Sequence, residues 1–355
     1  MKMRILYGVV GEGMGHATRS KVVIEHLLSK GHKVKIVVSG RAYAFLKRHF
    51  PDVVEIRGLT IRYARGAMDR DASVFQNVLL SPSMLFQNAA SYVEDVRHFK
   101  PKIVFSDFDS YAYFFAKRFR LPIVSIDNQQ IIHKCKHDRA ITDGVYADYR
   151  ATRAFVKAKL PGCDHYVITS FFSPPIRAKF AGRVTIVPPI LRREILDAEP
   201  TSGDHVLVYQ TSTSDKALVA ELNRLHKRRF VVYGLRRDAV HGNCTLRNFS
   251  EQAFVADLAS ARAVVTNGGL SLIHEAIYLK KPILSVPVRH QFEQEMNARY
   301  LEQYDYGLAA PHIDADVLDA FLRQLHKYER ALKSHRQRGN EVLFRKVDRL
   351  IDELT

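Results

Sequence analysis

The chain has 355 residues, 54 Lys+Arg against 37 Asp+Glu, and a formal net charge of +17. That length predicts two domains, and the 46% hydrophobic and 26% charged fractions exclude a disordered or fibrous chain. No apolar run approaches the roughly 18 residues a membrane span needs, and the opening MKMRILYGVV has no cleavage-type continuation, so a cytoplasmic protein is expected. Cys135, Cys163 and Cys244 are far apart, which argues for reduced thiols rather than a disulfide framework or structural zinc. The basic balance suits nucleic acid, an anionic membrane surface or a polyanionic ligand such as a nucleotide.

In chain order, short β-branched runs predict strands at 4–10, 34–38, 53–56, 103–105, 123–126, 166–168 and 184–187. They are continuously apolar, as parallel strands covered by helices on both faces are. A charged stretch over 191–204, carrying Pro200 and Gly203, reads as a linker. A second series of strands follows at 205–209, 230–233, 245–247, 263–266 and 283–286, with helices at about 215–226, 250–260 and 269–279. The tail from about 314 to 354 reads as two amphipathic helices interrupted near Gly339. The expected fold is α/β: two Rossmann-like, doubly wound domains, 1–190 and 205–320, whose strand carboxyl ends face a shared cleft. The helices of 321–355 are expected to pack back toward the first domain.

The first strand runs into Gly11-Glu-Gly-Met-Gly-His-Ala-Thr-Arg-Ser20. Glycines at 11, 13 and 15 allow a tight turn and close approach of backbone N–H groups to a ligand. A dinucleotide fingerprint fails, because His16 stands at the third glycine's place and no acid follows the second strand. His16 opens a helix where a positive dipole end favours the neutral imidazole. General-base work and simple loop capping both remain open for it. Asp107 and Asp109 follow another strand, so one is expected to cap the next helix and the other to orient His16.

In the second half, Asn267-Gly-Gly-Leu-Ser-Leu-Ile-His-Glu-Ala-Ile277 follows a strand. Gly268 and Gly269 open a helix whose free N–H groups suit a diphosphate, and Glu275, two turns along, can accept from a ribose diol. His290, Gln291 and Asn297 are placed at the next strand's carboxyl end. One cluster resembles a metal site, His133-x-Cys135-x-His137-Asp138, spaced as alternate positions of a strand; no metal is expected.

The segment NGGLSLIHEAIYLKKPILSVPVRHQFEQEMNA resembles the donor-site signature of GT-B glycosyltransferases of families 1 and 28, which include the glucuronosyl/glucosyltransferases and the enzyme that makes lipid II. GEGMGHATRS resembles their amino-terminal loop ending in Gly-His. The resemblance implies a metal-independent, inverting hexosyltransferase using a nucleotide-diphosphate sugar, chiefly a UDP-sugar, and a hydroxyl acceptor. It implies that His16 activates the acceptor with Asp107 as partner, with Gly13, Gly15 and Thr18 in the acceptor and phosphate loop. Asn267, Gly268, Gly269, Leu270 and Ser271 would hold the diphosphate with Thr213 and Ser214, while Glu275 takes the ribose, Phe249 lies beside the nucleobase, and His290 and Gln291 lie at the sugar. Two departures stand out: His290 replaces an acid, and the proline common near position 19 is absent. A sugar-nucleotide 2-epimerase of the same fold is the alternative. For the acceptor, the apolar stretch 74–86 beside Arg62, Arg65 and Arg70 reads as core packing or as a basic-rimmed patch for an anionic membrane. A nucleic-acid or small-molecule acceptor is the rival; the absence of Trp and of an aromatic–basic stripe opposes nucleic acid.

Overall fold

The structure is a computed structural model and describes residues 2–11, 13–56, 62–64, 67–69, 95–210 and 215–355. Thr213, Ser214, Arg65, Arg70 and the apolar stretch 74–86 lie outside them.

The first half contributes β1 (Arg4–Val9), β2 (Lys33–Ser39), β3 (Val53–Ile56), β4 (Arg62–Ala64), β5 (Ala67–Asp69), β6 (Ile103–Asp107), β7 (Ile123–Asp127), β8 (His165–Thr169) and β9 (Val184–Val187). Seven of these form an all-parallel sheet in the order β3-β2-β1-β6-β7-β8-β9, and β4 pairs with β5 as an antiparallel ribbon. The second half has β10 (His205–Tyr209), β11 (Arg229–Tyr233), β12 (Ala239–His241), β13 (Cys244–Leu246), β14 (Ala263–Thr266), β15 (Ile283–Ser285) and β16 (Gly307–Ala309). Their order is β12-β13-β11-β10-β14-β15-β16, parallel except for the β12–β13 pair. The continuous apolar runs are explained by burial on both faces: every residue of β6, β7, β8 and β14 is buried.

Strand order reverses between β1 and β6 in one sheet and between β10 and β14 in the other. At such switch points adjacent crossovers leave in opposite directions and open a crevice at the carboxyl ends. Both glycine loops therefore start at crevices.

The halves meet through aromatic packing. Phe172 stacks on Tyr300 with ring centroids 3.8 Å apart, and Tyr149 meets Phe292 at 5.1 Å. The tail differs from expectation. It forms three helices, Ala315–Arg323, Leu325–Ser334 and Glu341–Leu354, the first two separated at Gln324 by a break that no Gly or Pro marks. The first packs Leu318, Phe321 and Leu322 on the second sheet, and Leu325 and Tyr328 of the next helix join them. In the last helix Leu343, Val347, Leu350 and Ile351 join the core of the first. Asn340 anchors the crossing by accepting from the Leu191 amide at 2.9 Å and donating to its carbonyl at 2.7 Å. Among the described residues no helix is long and apolar enough to cross a membrane.

Candidate active site between the two glycine loops

β1 ends at Val9, and the loop turns into helix Met14–Ser29 through Gly13, whose φ of 89° is the left-handed value glycine adopts at little cost. His16 lies in the first turn of this helix, 12% exposed. Asp107 closes β6, which pairs directly with β1, so the register alone brings it beside the loop. Asp107 Oδ1 accepts from His16 Nδ1 at 2.8 Å. Phe108 takes a positive φ of 55°, a conformation strained for a bulky residue, between β6 and the next helix. Asp109 accepts from the Ala112 amide at 2.8 Å as the cap of helix Ser110–Phe119. The two aspartates thus divide into orienter and cap, as their sequence positions suggest.

A third residue shares this site. Arg19, one turn beyond His16, donates from Nε to Asp107 Oδ2 at 2.8 Å and from Nη2 to Oδ1. Its Nη1 donates to Asn128 Oδ1. Ser20 adds a hydroxyl to Asp107 Oδ2 at 2.9 Å. Burial alone would raise the Asp107 pKa, but the Arg19 cation and then His16 hold it well below the usual carboxylate range. The His16 pKa is lowered, by burial first and by Arg19 second, with Asp107 acting in the opposite direction. A helix dipole is not the leading cause. The far nitrogen of His16, Nε2, lies 3.2 Å from Gln129 Nε2. Glu293, from the second half, accepts from Asn128 at 2.6 Å and from Gln129 at 3.4 Å.

Thr18 spends its hydroxyl inside the helix, donating to the carbonyls of Met14 at 3.1 Å and Gly15 at 3.2 Å. Gly15 faces the second loop. A Cβ there would stand 2.5 Å from Ser271 Oγ, so glycine permits the two loops to approach.

Across the crevice, Gly268 has a φ of 93° and Gly269 caps helix Leu270–Tyr278 with no side-chain hydrogen bond. No side chain of the N-cap therefore takes up the first N–H groups of that helix. Asn267 donates to Gln210 Oε1 at 2.5 Å, tying the ends of β14 and β10, and Asn297 donates to the Gly268 carbonyl at 3.1 Å. Gly268 itself lies beside the buried Ser285 hydroxyl. Leu270 is buried and Ser271 half-buried at the helix start. Phe249 is 62% exposed and packs beside Phe254, with ring centroids 5.5 Å apart. Gln291 caps helix Phe292–Gln303 and is half-buried. His290 is exposed and faces Asp148 of the first half at 3.3 Å.

Glu275 is paired within the protein. Rather than reaching freely toward a ribose, it spends both oxygens on Arg192 of the linker, at 2.8 and 3.0 Å, and Arg192 also holds Glu251 at 2.8 Å. Burial raises the Glu275 pKa while Arg192 pulls it down. The metal-like cluster does not have the strand geometry its spacing suggests. His133 lies in helix Gln130–Lys134, not a strand, and His137 bonds the Tyr300 hydroxyl at 2.9 Å and the Ile131 carbonyl at 3.0 Å. Among the described residues no group of three or more His, Cys, Asp or Glu is arranged to hold a metal.

Sequence reasoning missed Arg19 and Arg192. The first was legible in principle, since i,i+3 positions share a helix face. The second contacts Glu275 across 83 residues of sequence, which no local signal encodes.

A model of glycosyl transferase family 1 matches residues 3–326. The chain belongs to that family. It is 25% identical over 336 residues to an uncharacterized glycosyltransferase of Methanosarcina acetivorans, covering 86% of this chain and 85% of that one. A second, from Methanosarcina mazei, is 22% identical with 94% of each chain covered. Among solved structures, the calicheamicin glycosyltransferase CalG4 superposes with a TM-score of 0.67 at 15% identity, over 100% of this chain and 99% of its own. Arabidopsis thaliana UGT89C1, solved in complex with UDP-L-rhamnose, gives 0.65 at 15% identity with the same coverage. These likenesses establish the GT-B fold: two parallel-rich α/β halves around a cleft. The protein is a glycosyltransferase.

Proposed function

We propose that this glycosyltransferase moves a hexose from a UDP-sugar to a hydroxyl acceptor with inversion at the anomeric carbon. The observation that carries the reading is the His16–Asp107 pair, 2.8 Å apart, at one switch point and facing a glycine-opened helix at the other. Asp107 holds the imidazole with Nδ1–H toward itself, which leaves Nε2 as the proton acceptor. The acceptor hydroxyl gives its proton to Nε2 as its oxygen attacks the anomeric carbon. The bond to the diphosphate breaks on the opposite face, so a single displacement inverts the centre. The departing charge falls on the open N–H groups of helix Leu270–Tyr278, and this supports a transfer that proceeds without a metal.

The donor is proposed to lie with its diphosphate at Gly268, Gly269 and Ser271, its base beside Phe249 and its sugar toward Gln291 and His290. Its ribose then exchanges with Arg192 for the Glu275 carboxylate. Glu275→Gln is expected to weaken UDP binding about tenfold, some 1.4 kcal/mol, measured by titration calorimetry. An unchanged UDP affinity removes the ribose assignment. A screen of UDP-sugars for donor hydrolysis identifies the sugar.

For the acceptor we propose a lipid-linked or cell-envelope hydroxyl at an anionic membrane surface, because a net charge of +17 exceeds what one dianionic donor requires. Flotation with vesicles containing anionic lipid is expected to carry the protein, and neutral vesicles are not. Equal recovery with both contradicts the electrostatic docking.

A further inference from the structure

Arg19 stands inside the His16–Asp107 pair, and its contacts exceed what packing needs. The guanidinium binds Asp107 as a fork, through Nε and Nη2, and Nη2 also lies 2.7 Å from His16 Nδ1. Both the imidazole N–H and the guanidinium N–H converge on Asp107 Oδ1. A carboxylate beside a lone imidazole favours the charged form, because imidazolium and carboxylate attract. Here the carboxylate is already matched by a cation, and charging His16 would set imidazolium against guanidinium at contact.

We propose that Arg19 is the positioning residue of this site: it holds in place the Asp107 carboxylate that accepts from His16 Nδ1, and it keeps that imidazole uncharged. Glu293 of helix Phe292–Gln303 and Asp107 at the end of β6 favour the charged form, and Arg19 on His16's own helix opposes them. Asp127, the last residue of β7, is buried, its pKa pushed up to about 6, and it acts on Arg19. His274 of helix Leu270–Tyr278 is buried and held neutral by burial and then by Arg19. Neutral Asn128 and Gln129 complete the ring. Of the charged groups around His16 among the described residues, only Arg19 both touches the imidazole and disfavours its protonation.

The proposal extends the reading of His16 as the acceptor base, yet the pairing can be measured without any substrate. Nitrogen-15 NMR of labelled histidine reports both tautomer and protonation, with His16 assigned by the signal lost in His16→Gln. In the unmodified protein His16 is expected to stay neutral, Nδ1–H, at pH values where a free histidine is charged. In Arg19→Gln its titration is expected to move up by about one pH unit or more, and Arg19→Lys, which keeps the charge, is expected to hold it within about half a unit of the original. His133 and His165, which do not touch Arg19, should titrate unchanged and so report that the fold is intact. The same titration and tautomer in Arg19→Gln as in the unmodified protein overturns the proposal. So does an unmodified His16 that titrates at or above about 6.5, a result that needs no variant. Undiminished transfer by His16→Ala would instead overturn the base assignment and leave the NMR result standing.

Discussion

Replacing His16 with alanine is expected to lower sugar transfer by about 10²–10⁴-fold, the usual contribution of a placed general base, with UDP affinity held within about twofold. The two readouts separate because the imidazole sits in the first crevice, while the open N–H groups of helix Leu270–Tyr278 sit in the second. Asp107→Asn should fall in the same range, for a different reason. The amide can donate to Nδ1 and so favours the tautomer that carries its proton on Nε2, where the acceptor must bind. It also leaves Arg19 without its carboxylate. Initial rates of UDP release, alongside calorimetry with UDP, check both variants. Normal turnover in either sinks the assignment of that residue.

Arg192→Ala is expected to destabilise the protein by about 3–5 kcal/mol, the cost of leaving a buried carboxylate without its cation. Arg192 is 9% exposed and Glu275 11% by side chain, and the pair is bidentate. With Arg192 gone, burial acts on Glu275 unopposed and its pKa rises further. Arg192→Met combined with Glu275→Gln should recover much of the loss, because neither buried charge then remains unpaired. Urea unfolding of the two variants beside the unmodified protein measures this, and a loss below about 1 kcal/mol for Arg192→Ala would show that Glu275 reaches water or another partner.

The strands that build the crevices were legible because they are buried on both faces, as in Ile103–Asp107 and Ala263–Thr266. Ala239–His241 and Gly307–Ala309 were not. Each is three residues at a sheet edge, too short to show a period, and the second begins with glycine. The break at Gln324 escaped notice because the helices on either side share a polar sequence without a stop signal. In the site, glycines and a histidine just after a strand announced themselves, and β1–β6 pairing explains why Asp107 meets His16. The partner of Glu275 lay beyond reach, because an arginine in a charged linker reads as solvated until the fold closes over it. The missing proline near position 19 was visible; what the arginine there touches was not.

The last helix, Glu341–Leu354, sets a condition on how the chain is completed. His26 in the first half bonds Asp348 at 2.7 Å and stacks on Phe344 with centroids 4.0 Å apart. A domain made first on the ribosome usually folds first. Here the first half cannot close its apolar face over Leu343, Val347 and Ile351 until that helix, which follows the second half in sequence, has been synthesised. Its crevice is therefore framed early and completed only after the second half has been made.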